Sequence, residues 1–210
     1  MKNILLLAII ITFFNPSYSQ NLNGFWDLKF GSTKEQVIKF MLSKPECKFE
    51  KQEDENMLIF TGAKFGGEKT SMVFFNLYND RYYEAVVVYE PTSSLDLISK
   101  YLSIKEILNK KYYYSEKNLG KNIVPQDLKN ETFLRSLTEK DYMVTLWEFP
   151  TTEEYELESD KKLDNFKLMA LHNNSIYLSF DFNAGLSLSY TFGKLKYEMK
   201  KNSTNTNKDY

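Results

Sequence analysis

A nucleophile with its base is the first chemistry to seek, and here it must be Cys47 with His172, because the chain holds one cysteine and one histidine. His172 ends an expected strand beside Asn173-Asn174, the ordinary setting of a surface or hydrogen-bonded imidazole. There is no G-x-S-x-G elbow. Gly62, Gly66 and Gly67 lack the spacing and the Lys-Ser/Thr end of a phosphate loop, and Gly66-Gly67 reads as a hairpin turn. Paired carboxylates are the remaining catalytic option. Glu84, Glu90, Glu148 and Asp181 fall on or at the ends of expected strands. Glycoside hydrolysis needs two such groups ~5–10 Å apart across a cleft. The run Glu153 to Asp160 places five acids in eight residues without the spacing or central glycine of a calcium loop, and reads as a solvated loop. The single Cys and His also exclude a Cys-rich zinc site, a disulfide framework and a multi-histidine centre, so neither metal nor cofactor is expected.

Binding chemistry is better represented. The chain carries 2 Trp, 15 Tyr and 16 Phe. Tyr112-Tyr113-Tyr114, with Tyr82-Tyr83, Trp26 and Trp147, could form a sugar-stacking or peptide-binding surface, although aromatics mostly fill strands and cores. Tyr112, Tyr113 and Tyr114 are the candidate binding residues. Three consecutive side chains after an amphipathic helix cannot all face one core, so at least one is expected at the surface. A net charge of −1 and only two arginines, Arg81 and Arg135, argue against nucleic acid or an anionic membrane as partner.

The N-terminus reads as an export signal. Met1-Lys2-Asn3 is a short basic region, Ile4 to Phe14 is eleven apolar residues, and Ser17-Tyr18-Ser19 places small residues before a cut at Gln20. Eleven residues fall short of the ~20 that span a bilayer. The sequence thus predicts residues 1–19 as a secretory signal and an exported product, periplasmic or secreted, with no transmembrane segment after cleavage. Cleavage takes one of the 27 cations and none of the 28 acids, leaving −2. Cys47, alone in an oxidising compartment, reads as a small buried hydrophobe.

The elements that must position these residues follow from periodicity. Gly24 to Phe30 is the first ordered element. A helix follows over Thr33 to Leu42, capped by Ser32 with Glu35 or by Thr33 with Gln36, and closed by Pro45. Four strands are expected at Lys48–Lys51, Met57–Thr61, Thr70–Leu77 and Arg81–Glu90. In the last, Tyr83, Ala85, Val87 and Tyr89 share one face, while Glu84, Val86, Val88 and Glu90 share the other and carry charge only at its ends. A second helix, capped by Ser93 with Asp96, runs to about Lys111. Tyr112 to Lys140 is the least legible stretch, with short helices expected after Pro125 and near Phe133 to Leu137. Strands return at Tyr142–Phe149, Phe166–His172, Ile176–Phe182 and Leu186–Phe192, and 200–210 reads as a disordered polar tail.

The expected fold is therefore α+β: one domain over 20–199, built of two helix-plus-antiparallel-meander units, α-β-β-β-β twice, with halves at 24–90 and 91–193. Aligning Ser32–Met41 with Ser93–Leu102 makes seven of ten pairs identical or similar, which raises an internal duplication. Gly31, Thr33, Gln36 and Val37 also match the opening of small bacterial envelope modules, where Gly-Met-Thr-x-x-Gln-Val leads into a Leu-Gly-x-Pro helix end. Ser32 replaces the Met, and Pro45 falls one residue late. Over some fifteen residues the chain resembles the β-lactamase-inhibitor-protein-like fold and the small lipoprotein of the outer-membrane assembly machine. The resemblance implies a non-catalytic α+β module that binds another macromolecule in the envelope. The expected function is binding of a protein, peptide or glycan; the alternative is a small exported hydrolase using a carboxylate pair.

Overall fold

The computed structural model describes residues 22–50, 55–112, 116–121, 123–137, 141–149 and 173–206. The fold is α+β with an antiparallel sheet. The chain opens on a hairpin of two short strands, β1 (Gly24–Phe25) and β2 (Leu28–Lys29), instead of one extended element. Trp26 turns the corner in the left-handed region at φ 57°, and the buried Tyr82 hydroxyl donates to the Leu28 carbonyl of the hairpin. Helix α1 (Lys34–Leu42) starts at Thr33, not Ser32: the Gln36 N–H donates to Thr33 Oγ1 at 3.4 Å and the Thr33 N–H donates to Gln36 Oε1 at 2.9 Å. Those two bonds satisfy two of the amides that a helix start leaves orphaned.

The first meander follows as β3 (Lys48–Phe49), β4 (Met57–Thr61), the two-residue β5 (Lys64–Phe65), β6 (Glu68–Tyr78) and β7 (Arg81–Tyr89). Strand β3 is shorter than the expected Lys48–Lys51, and the Gly66-Gly67 turn joins β5 to β6. Helix α2 (Ser94–Lys111) is capped by Ser93 Oγ, which accepts from the Asp96 N–H at 3.2 Å. The second set comprises β8 (Glu116–Gly120), β9 (Tyr142–Phe149), β10 (Asn174–Asp181) and β11 (Gly185–Thr191). A 3₁₀ turn over Pro125–Lys129 and the short helix α3 (Glu131–Ser136) fill the stretch that was hard to read. Strand β8 was not anticipated. Its sequence, Glu-Lys-Asn-Leu-Gly, has no apolar alternation, and it is held by its pairing with β9 as the edge strand among the described residues. The expected strand at Phe166–His172 lies outside the described residues.

The polar tail also needs correction. Helix α4 (Gly193–Thr206) runs into it, with Leu195 packed down and Met199 one turn on, where four-residue spacing stacks both on one face. The sequence signal was masked by the Lys and Asn that fill the rest of the helix.

One sheet takes in all the strands after β2, in the order β3-β4-β6-β7-β11-β10-β9-β8, with β5 pairing β6 off the path. Leaving β5 aside, the first set (β3, β4, β6, β7) and the second (β8 to β11) are each a meander of four, and the two meet along their last strands, β7 and β11, in register from Ser187↔Val88 to Thr191↔Glu84. The inner face is apolar along every central strand: Val73 and Phe75, Ala85 and Val87, Leu186 and Leu188, Leu178 and Phe180 are all essentially inaccessible. Helix α1 adds Val37 and Met41 to that core, and α2 adds Leu97, Ile98, Tyr101 and Leu108. One buried polar chain ties α2 to the sheet. Thr145 Oγ1 donates to Asn118 Oδ1 at 2.9 Å, so its 2.6 Å contact with the Tyr101 hydroxyl must be one in which Tyr101 donates.

Candidate functional site

The other face of the sheet stays half-exposed, and strand pairing arranges it in three rows. The first row is polar: Asn76, Glu84, Thr191, Ser175 and Glu148 lie side by side from β6 to β9. The second runs Ile59, Phe74, Val86, Ser189, Tyr177 and Leu146. The third runs Met72, Val88, Ser187, Ser179, Val144 and Leu119. The serines therefore sit on β10 and β11 in the middle, with Ser179 and Ser187 hydroxyls 2.8 Å apart. Apolar side chains flank them on both sides, and Tyr177 projects from the centre at 38% exposure. Met72 at 38% and Leu119 at 52% mark the two margins. Among the described residues, α4 is the helix that reaches this side, at the polar row, where Lys196 lies 3.7 Å from Glu84.

The residues singled out from the sequence go elsewhere. Tyr112 caps the C-terminus of α2, donates its N–H to the Leu108 carbonyl at 2.7 Å, and is 8% exposed with its ring edge-on to Phe149 at 5.0 Å. It packs against the sheet at the end of α2. Tyr113 and Tyr114 lie outside the described residues, as do His172 and the acidic run Glu153 to Asp160. Trp147 is wholly buried and donates its indole N–H to Asn109 Oδ1 at 2.7 Å. Tyr82 is wholly buried as well, while Trp26 and Tyr83 are half-buried. The face itself was missed as a surface although its signal was present: Leu186-Ser187-Leu188-Ser189 and Leu178-Ser179-Phe180 alternate with period two.

Glu84, Glu148 and Asp181 each have a structural partner. Glu84 accepts from Asn76 Nδ2 at 2.8 Å and from Thr191 Oγ1 at 3.3 Å. Glu148 pairs with Lys117. Asp181 Oδ1 accepts from the Asn183 and Ala184 N–H groups at 2.7 and 2.9 Å, closing the β10–β11 turn. Glu84 and Glu148 share a row but stand three strands apart. At about 4.8 Å per strand that is roughly 14 Å, beyond the ~5–10 Å of glycosidase pairs. Glu90 is exposed just past the end of β7.

Nearby ionisation is set by burial. Burial pushes the Tyr83 phenol above its ordinary value, and the neighbouring Glu84 charge adds to the push. Cys47, half-buried beyond α1, is shifted upward by the same desolvation. Among the described residues, no three His, Cys, Asp or Glu side chains cluster to hold a metal ion, and no helix is long and apolar enough to cross a membrane. Comparison with known proteins found no matching family model, no matching curated protein and no matching solved structure.

Proposed function

We propose that the chain is an exported, non-catalytic module of the bacterial envelope that binds a protein, peptide or glycan through the outer face of its sheet. The observation that carries this reading is the pair of apolar-and-hydroxyl rows from β4 to β8, half-exposed apart from the buried Val144 and free of charge until Lys117 at their edge. Across β6 to β9, five strands at about 4.8 Å and two outward residues per strand give a patch of roughly 300 Å². Contiguous apolar patches of a few hundred Å² mark interaction surfaces on soluble proteins. Export rests on the apolar segment Ile4 to Phe14 and the Ser17-Tyr18-Ser19 site.

We also read the two units as an internal duplication. Its support is the strand order, which runs inward from β3 to β7 and from β8 to β11 so that the fourth strands meet. The caps move the alignment by one residue: Thr33 and Ser93 are equivalent, which pairs the buried Val37 with Leu97 and Met41 with Tyr101. This arrangement accords with the resemblance around Gly31–Val37 to small envelope binding modules.

The test is recovery of partners from envelope extract on immobilised protein carrying Val86→Lys with Tyr177→Lys, against an Ile107→Lys control on α2, where the side chain is 58% exposed. At least tenfold loss with the double variant and none with the control is expected. Equal recovery by all three proteins removes the sheet face from the reading.

A further inference from the structure

Where α4 crosses the sheet, it closes one side of a cavity of about 380 Å³ at the tip of the β6–β7 hairpin. Asn56, Asn76, Tyr78, Asn79, Tyr83 and Met199 line it, all uncharged. A β-bulge builds this wall. Asn76 pairs with Glu84 and Leu77 pairs with Tyr82, so Tyr83 is the extra residue that opposes nothing. The slip sends Tyr82 into the core and turns Tyr83 to the cavity, half-buried. The turn itself is Asn79-Asp80, both left-handed at φ 48° and 62°, the geometry of a tight two-residue hairpin.

The amide of Asn76 is fixed in direction. Its Nδ2 donates to Glu84, which can only accept, so Oδ1 points the other way as an acceptor. Glu84 is in turn held by Thr191 Oγ1 at 3.3 Å and Lys196 at 3.7 Å, which neutralises that carboxylate. Asn202 Nδ2 donates to the Tyr78 hydroxyl and anchors α4 across the opening. What results is a wall that carries the Asn76 Oδ1 acceptor and the amide side chains of Asn56 and Asn79, with two phenol rings and a thioether. That set matches neighbouring hydroxyls on a ring whose opposite face is C–H, and none of the described lining residues is a cation that would select an anion. A peptide adding as a strand is disfavoured, because β6 and β7 are each paired on both sides and leave no backbone edge.

We propose that this cavity binds a neutral sugar residue of a glycan, with its hydroxyls on the asparagine amides and its ring face on Tyr83. The site is separate from the apolar rows and stands whether or not they dock a partner. The test is calorimetric titration of the chain with neutral tetrasaccharides of glucose, mannose and N-acetylglucosamine, beside a charged oligosaccharide and an unstructured Asn-rich peptide. At least one neutral tetrasaccharide is expected to saturate, at least tenfold more weakly in Tyr83→Ala and in Met199→Trp, which plugs the cavity from the helix side without touching the sheet. Tyr83→Phe keeps the ring and is expected within about threefold of the parent. Val86→Lys with Tyr177→Lys is expected to leave sugar affinity unchanged, which separates this site from the sheet-face reading. No saturation by any neutral sugar, saturation by the peptide or the charged oligosaccharide alone, or affinity that survives both Tyr83→Ala and Met199→Trp in protein of unchanged dichroism overturns the proposal.

Discussion

The Tyr82 hydroxyl donates to the Leu28 carbonyl at 2.6 Å and accepts from the Phe25 N–H at 3.3 Å, joining the N-terminal hairpin to a strand 54 residues away. A two-residue hairpin has almost no stability of its own. Here one buried phenol satisfies the backbone that the hairpin would otherwise bury unpaired, while Phe25 packs edge-on to Phe75 at 5.6 Å and to Tyr190 at 5.3 Å. Gly31 and Ser32 then exchange backbone bonds with Tyr82 itself, at 3.0 and 3.1 Å, so the same residue sets where α1 begins.

Tyr82→Phe keeps the packing and removes the hydroxyl. The Leu28 carbonyl is left buried without its donor, which costs about 1–3 kcal/mol. For a chain of this size that lowers the melting temperature by roughly 3–10 °C. Calorimetry on the pair checks it, and a change under 1 °C means the hairpin does not depend on this bond.

Helices α1 and α2 and most central strands were legible because their signals are local: the Thr33-x-x-Gln36 box, Ser93 with Asp96, and strict alternation in Arg81–Tyr89. What escaped were features that depend on partners. Strand β8 exists through pairing with β9, and α4 through two apolar contacts in a polar helix. At least one of Tyr112, Tyr113 and Tyr114 was expected at the surface; Tyr112 is buried at the end of α2, and the other two lie outside the described residues. The Tyr83 bulge carries no sequence mark at all, since Tyr82-Tyr83-Glu84 fits an ordinary strand as well.

Thr145→Val tests the buried polar chain. Valine matches threonine in shape, but the Tyr101 hydroxyl loses the oxygen it donates to and Asn118 loses a donor. Tyr101 is 3% exposed, so water cannot readily replace the bond. A loss of about 1–3 kcal/mol is expected by urea unfolding. The double variant with Tyr101→Phe removes both partners and should recover part of that loss; a purely additive double variant breaks the chain as drawn.

Gly62→Ala addresses a contact across a loop. Gly62 sits at φ +74°, and a Cβ there would stand 2.2 Å from the Glu46 carbonyl oxygen. Backbone cannot yield as a flexible side chain can, so the loop after α1 must move away from the end of β4. The left-handed conformation alone costs about 1 kcal/mol with a side chain, and the displaced loop brings the total to roughly 2–4 kcal/mol. Because Cys47 follows Glu46, the same variant should label faster with a thiol reagent in the folded state. Unchanged labelling and stability together would show the loop to be soft.

Alkaline stability follows from three buried phenols. Burial drives Tyr82, Tyr89 and Tyr190 far above their ordinary value, with the Glu68 charge adding at Tyr89 and neighbouring phenols adding at Tyr190. The sign is fixed by which state holds the proton. Below about pH 10 both states keep the phenols neutral, and their contribution is whole. Above it, the unfolded chain ionises while the folded chain does not, so the unfolded state binds fewer protons and stability falls as pH rises. Three such groups give a slope of up to roughly 4 kcal/mol per pH unit. Phenolate absorbance from these residues should therefore appear together with the loss of near-ultraviolet dichroism, in one step. In Tyr82→Phe the slope should drop by about a third, because one of the three protons is gone. Phenolate absorbance that rises fully while the dichroism persists would place these tyrosines in contact with solvent and contradict their burial beneath the helices.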